Sequence, residues 1–331
     1  MVLAEPGVAQ VDGSQHREAL QQAIAAAGGE LPRPLTVDVR HEVADLFAAF
    51  DDDSLRRSYT GEWLQLTLGI LRAHERFPPS HRWSTHALLD WERRTRAMLP
   101  ASDAFDVLTG PAFAPLMPHA ALSVSSFGGT VGAAISELAC RLKVDPLGFS
   151  LLWIGAGSHV TPLHHDGAMV HARWHLVVRG TKQFDLMPPD SAAVPRLRRW
   201  DLHRRFSSLY KDPLPDAWQT DGIGAVRAVL EPGQMITWGR RWWHRVEVAA
   251  SGVSVGLSTR GHNAAERFTP RGIAHVVSSR LLGEVEHFLD ALDENPPIRT
   301  CEQLEALARL VRGHTGQPPP IETTTASVQS R

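Results

Sequence analysis

The stretch Thr161-Pro162-Leu163-His164-His165-Asp166 holds residue types and a spacing suited to metal chemistry. On an extended backbone side chains alternate, so His164 and Asp166 would leave on the same side while His165 turns away toward packing. One imidazole nitrogen and one carboxylate oxygen, joined by a second imidazole from a distant strand, make the facial triad that leaves positions open on a non-haem iron(II) ion. His244 suits the third place among the 17 histidines. It follows the apolar stretch 234–238 and the pair Trp242-Trp243, and Val246 and Val248 resume alternation behind it, so aromatic packing would hold the imidazole and limit solvent. A His-x-Asp triplet alone is common, and a histidine-rich loop is ordinarily polar surface; the triad needs support from its surroundings.

Two residues offer that support, each with a plainer alternative. Lys182 shares strand parity with Phe184 and Leu186 and would point toward the apolar side, where an ammonium is expensive unless an anion meets it. The alternative is a lysine at a strand end whose stem snorkels to water. Thr161, three residues before His164, could set its hydroxyl beside the metal and donate to the same anion; threonine before proline is equally an ordinary turn residue.

The elements that must position these residues can be read from the hydrophobic period. The first dozen residues lack apolar periodicity and are expected to fray. Leu20 and Ile24 lie one helical turn apart, with a stop at Gly28-Gly29. Val43, Leu46, Phe47 and Phe50 follow helical spacing, and Trp63, Leu66 and Ile70 are read as a helical stripe behind a Thr60 cap. A further helix after Ser84 carries Leu88 and Trp91, and 130–143 also reads helical. At about Phe149 the period changes: 149–154 suits a buried strand, and Trp174, Leu176 and Val178, then a Gly180 turn, then Phe184 and Leu186 form a hairpin-like unit closed by Pro188-Pro189. Residues 190–225 read as a long polar excursion, followed by a turn at Glu231-Pro232-Gly233, a strand at 234–238 and another carrying Val253, Val255 and Leu257. Leu281, Val285, Phe288, Leu289 and Leu292 mark a C-terminal helix. Thr300 with Gln303 resembles a capping box opening another that carries Leu304, Leu307 and Val311. The Pro- and Thr-rich tail beyond Gly313 reads as disordered. The division expected is a helical region at 1–145, a β core at 146–262, a helical region at 263–313 and a tail at 314–331.

Composition narrows the classes. A balance of 34 basic against 36 acidic residues gives no overall field to draw nucleic acid or an anionic membrane. Cys140 and Cys301 are too few for a disulfide framework or a thiolate zinc site, and no stretch approaches ~18 uninterrupted apolar residues. The expectation is a cytoplasmic protein without a membrane segment.

Three ordered segments resemble a known family. Ile154 through Asp166 is similar to the metal-binding stretch of cupin-like JmjC hydroxylases, the asparaginyl hydroxylases above all. Val178-Arg179-Gly180-Thr181-Lys182-Gln183-Phe184-Asp185-Leu186-Met187-Pro188-Pro189 resembles that family's next strand pair, and Gly233 through Val246 its distal-histidine strand. The likeness covers about residues 147–260. It implies a mainly β core with helical flanks, a double-stranded β-helix or jelly roll, whose mouth holds the site. It also implies an Fe(II)/2-oxoglutarate-dependent dioxygenase: His164, Asp166 and His244 as iron ligands, Thr161 and Lys182 on the distal carboxylate of 2-oxoglutarate, O2 as oxidant, and C-terminal helices of the kind used for homodimers.

The departures from the family lie beside the triad. The family usually has an asparagine shortly after its His-x-Asp, whereas Gly167 to Trp174 has none and is a few residues longer. Another asparagine often ends the last core strand, where this chain reads Leu257-Ser258-Thr259-Arg260; Ser258 or Arg260 is the substitute expected to bind the co-substrate. His171 and His175 sit near the lengthened stretch, either touching substrate or as ordinary strand and loop histidines. Arg196, Arg198, Arg199, Arg204 and Arg205 form a basic cluster, by default a solvated loop face and otherwise a dock for an acidic peptide or carboxylated molecule, while Arg240 and Arg241 lie nearer the presumed mouth. Sparse aromatics there argue against a nucleic-acid groove. The substrate expected is a peptide or protein side chain or a peptidyl natural product. The competing classes are another metal-dependent cupin enzyme that does without the keto acid, which a buried Lys182 argues against, and a non-catalytic scaffold, which the intact triad argues against.

Overall fold

Alternating apolar residues build most of the fold in the computed structural model of the chain, which describes residues 9–12, 31, 33–69, 96–142, 149–165, 170–191, 224–239, 242–249, 252–259, 261–262 and 298–315. In chain order these form β1 (Ala9–Asp12), β2 (Leu35–Asp38), α1 (Arg40–Val43) running into a 3-10 stretch (Ala44–Phe50), α2 (Asp52–Ser58), β3 (Trp63–Leu68) and β4 (Arg96–Pro100). Next come α3 (Ala101–Thr109), a 3-10 turn (Pro111–Leu116), β5 (Pro118–Ser123), α4 (Gly129–Leu142), β6 (Leu151–Ala156), β7 (Val160–His165), β8 (Val170–Arg179) and β9 (Lys182–Met187). The chain continues with β10 (Val226–Leu230), β11 (Gln234–Gly239), β12 (Trp243–Val248), β13 (Val253–Ser258), β14 (Gly261–His262) and α5 (Cys301–Thr315).

Among the described residues the strands form two sheets. The larger runs β1-β2-β11-β8-β13-β6-β5-β3-β4, with β14 also on β8, and the smaller runs β10-β9-β12-β7. Pairing is antiparallel apart from β1 on β2. The result is a jelly-roll-like sandwich with helical flanks, the cupin-type architecture expected from the sequence.

The larger sheet is buried on both faces. Leu152, Ile154, Leu176, Val178, Val255 and Leu257 pack with Phe50, Leu55, Phe105, Leu108 and Leu138 of the helical side. The intervening residues look the other way: Val177, Ile236 and Trp238 meet Phe184, Leu186, Ala228 and Leu230 of the smaller sheet. Apolar side chains on both faces of β8 explain the unbroken run Leu176-Val177-Val178.

Several expectations are corrected. The expected helical stripe is a strand over Trp63–Leu68: Leu64, Leu66 and Leu68 are buried and alternate with exposed Trp63 and Gln65 and half-buried Thr67 along β3, while Ile70 lies outside the described residues. The period there is two, and the sheet decides it. The unit around Gly180 is not a hairpin either, since β8 pairs with β11 and β13 while β9 pairs with β10 and β12. Gly180, at φ +71, turns the chain from one sheet to the other where a Cβ would come within 2.6 Å of the Val253 carbonyl oxygen. Ala9–Asp12, expected to fray, pairs with β2, and the described residues of 1–145 carry five strands beside their helices rather than helices alone. The capping box stands as read: the Thr300 hydroxyl accepts from Gln303 N at 3.3 Å and Gln303 Oε1 accepts from Thr300 N at 3.2 Å, and α5 follows. Among the described residues no helix is long and apolar enough to cross a membrane. The helices expected around 20–28, after Ser84 and at 281–292, the Arg196–Arg205 cluster, Arg240, Arg241, Arg260 and residues 316–331 of the tail lie outside the described residues, while α5 runs two residues into the expected tail, to Thr315.

Candidate metal and co-substrate site

Between the two sheets lies a cavity lined by His164, Thr161, Lys182, His244 and Trp238 among others. Its near wall is the inward face of the smaller sheet, and register fixes the order of side chains along it. His244 of β12 stands opposite His164 of β7 and Leu186 of β9; Val246 stands opposite Thr161 and Phe184; Val248 stands opposite Lys182. A bulge in the β7 pairing between His244 and Val246 brings Thr161 to the cavity alongside His164, although the two differ by three positions.

The two histidines expected as ligands are thus cross-strand neighbours, with ring centroids 4.1 Å apart and planes inclined by 50°. His244 is 1% exposed and packs its ring 4.8 Å from that of Trp238. Its Nδ1 lies 3.3 Å from the Trp242 carbonyl, which can only accept, so that nitrogen carries the proton and Nε2 keeps the lone pair a metal needs. Asp166 lies outside the described residues, so the site is described through its two imidazoles. These fit a facial-triad metal: neutral nitrogen donors from adjacent strands, both lining one cavity.

Lys182 lies one end of the cavity away. Its ammonium is 2% exposed, and burial pushes its pKa down to about 7. Among the described residues no carboxylate pairs with it, and no snorkelling route to solvent remains for a side chain so covered. Room for it comes from β13, whose inward positions Ser254, Gly256 and Ser258 are all small while Val255 and Leu257 face the helices. A Cβ at Gly256 would lie 3.0 Å from Lys182 Nζ and collide with His175 Nε2.

Ser258 is fully buried but does not line the cavity; its hydroxyl accepts a 2.7 Å hydrogen bond from the Trp153 indole, whose ring does line it. The remaining walls hold residues that sequence reasoning passed over. His119 and His159 stack with centroids 4.2 Å apart and planes within 7°, and His159 Nδ1 donates to the Met117 carbonyl at 2.9 Å. His175, read as an ordinary strand histidine or a substrate contact, is buried and lines the cavity. Parity marked His175 as facing away from the helical core, given Leu176 and Val178 on the opposite side. Which face the helices cover was the missing information.

Comparison with known proteins agrees with this architecture. Residues 131–259 match the model of the cupin-like domain, a stretch from α4 to just past β13. Over 149 residues the chain is 26% identical to a JmjC domain-containing protein C of Dictyostelium discoideum, covering 43% of this chain and 34% of that protein. Over 103 residues it is 32% identical to an HSPB1-associated protein 1 homolog of Danio rerio, covering 30% of this chain and 22% of that protein. The matched part therefore spans about a third or less of each relative's length. A cupin-like, JmjC-related domain is what these similarities support.

Proposed function

We propose that this protein is an Fe(II)- and 2-oxoglutarate-dependent oxygenase that hydroxylates a side chain of a peptide or protein, or of a peptidyl natural product. The observation that carries the reading is the pairing of two functions in one cavity: His164 and His244 side by side at one level, and a buried Lys182, with no carboxylate partner among the described residues, four positions further along the wall. A metal-dependent cupin with no acidic co-substrate has no use for that lysine, whose burial is costly.

In this reading His164, His244 and Asp166 hold the iron, which when bound supplies O2 activation coupled to decarboxylation of the keto acid. The chain's own part is orientation. Lys182 anchors the distal carboxylate with Thr161 beside it, the Trp242 carbonyl fixes the tautomer of His244, and Trp153, Phe184 and Trp238 keep water from the cavity. The likeness of the three segments to asparaginyl hydroxylases favours a peptide side chain as substrate, and self-association through the C-terminal helices belongs to the same reading.

Anaerobic titration of the Fe(II)-loaded protein with 2-oxoglutarate, followed by the visible metal-to-ligand charge-transfer band, tests it. The band should appear in the wild type, vanish with His164→Ala and require far more keto acid with Lys182→Ala. No band in the iron-loaded wild type would overturn 2-oxoglutarate chemistry in favour of another metal cupin or a scaffold; a Lys182→Ala variant with wild-type affinity would do the same.

A further inference from the structure

The floor of the cavity holds a second nitrogen beside the lysine. A Cβ at Gly256 would collide with His175 Nε2 and lie 3.0 Å from Lys182 Nζ, so both groups converge on the one position of β13 that has no side chain. His175 is nearly as buried as the lysine, and its imidazole is held edge-on against Phe184, with centroids 5.1 Å apart and planes at 61°. The neighbouring positions on its face of β8 do not call for a polar group: Val177 lies in the apolar inter-sheet core. A carboxylate has two oxygens and gains most when two donors meet it, and an ammonium meets it as a point charge only.

We infer that His175 is a second recognition residue for the acidic co-substrate: Lys182 and His175 together grip the carboxylate remote from the metal, with Gly256 keeping the space between them open. The inference rests on the 2-oxoglutarate reading above and adds a residue to it. A neutral imidazole suffices, since one ring N–H donates to a carboxylate oxygen. Specificity follows from the pair. A keto acid ending in a methyl group would offer no acceptor to either donor and would leave the buried Lys182 ammonium unmet, which a site built for hydrogen bonding rejects strongly.

The test compares 2-oxoglutarate with 2-oxopentanoate, which puts a methyl where the distal carboxylate stands, using the anaerobic charge-transfer band of the Fe(II)-loaded full-length protein. His175→Leu should weaken 2-oxoglutarate binding by about 10- to 100-fold, the size expected for one hydrogen bond to a charged group, and leave the weak binding of 2-oxopentanoate unchanged. His175→Gln, which keeps an N–H donor, should recover much of the loss, and Gly256→Ala should lose 2-oxoglutarate as His175→Leu does. If His175→Leu does not fold, as judged by circular dichroism, the Gln and Gly256 variants carry the same comparison. Equal losses for both keto acids would mean a merely structural histidine and would overturn the inference, as would undiminished 2-oxoglutarate binding in His175→Leu and Gly256→Ala. Absence of the band in the wild type with either acid would instead overturn the co-substrate reading, and the inference with it.

Discussion

A single buried ammonium organises much of the chemistry described above. Burial holds Lys182 near pKa 7 in the folded chain against its ordinary 10.5. Between those values the unfolded chain binds a proton that the folded one lacks, so stability rises with pH across this window, by up to about 1.4 kcal/mol per unit, and the penalty is in full force below pH 7. Urea denaturation of the ligand-free protein between pH 6 and 9 should show this slope in the wild type and a flatter one in Lys182→Met; parallel curves would refute it. The lysine was legible in the sequence because parity with Phe184 and Leu186 already put it on an apolar face. His119 and His159 were not. Their role depends on a stack between a strand and a loop 40 positions apart, and nothing in either local sequence encodes that meeting.

Elements reveal where local pattern and tertiary context part. In Trp-Leu-Gln-Leu-Thr-Leu the leucines alternate without exception, yet Trp63, Leu66 and Ile70 also satisfy helical spacing; only pairing with β4 and β5 selects the strand. Leu66→Ala should therefore cost about 2–5 kcal/mol, while Gln65→Ala, one position along, should stay within about 0.5 kcal/mol, as chemical denaturation will read. The Thr300–Gln303 box, by contrast, was readable because its hydrogen bonds span three residues and need no partner element. On the smaller sheet the positions between the cavity-facing ones carry an ion cluster: Asp185 and Arg245, each about 1% exposed, pair at 3.1 Å, and Arg227 reaches the same carboxylate at 2.8 Å. Removing the shared acid takes one carboxylate from both arginines while Arg245 keeps Glu247 at 2.6 Å, so Asp185→Ala should lower unfolding free energy by about 1–3 kcal/mol. Urea denaturation at neutral pH checks it, and a loss below 1 kcal/mol would show the cluster to be dispensable.

At the scale of the molecule, two sheets enclose the site and helices brace the larger one, an architecture announced by the switch in period near Phe149 and by the ordered motifs. What the sequence withheld was the allocation of strands to sheets, because Gly180 looks like a hairpin turn and acts as a corner between layers. A ligand that binds the folded form alone stabilises it by mass action, about 2.7 kcal/mol at a hundredfold excess over Kd. Thermal melting with added Fe(II) under nitrogen should rise in the wild type and stay level in His244→Ala; a rise of equal size in both would remove His244 from the metal site. The small inward positions of β13 have one further consequence. His244 and the residue opposite Lys182 are four positions apart on β12, roughly 13 Å of extended chain, and the opposing floor at Gly256 is backbone, which has no rotamer to swing aside. On the proposed co-substrate reading this spacing sets the length of the acid: 2-oxoadipate, one methylene longer than 2-oxoglutarate, should bind about tenfold more weakly in competition titrations, and equal affinity for the two acids would refute the spacing as the selector.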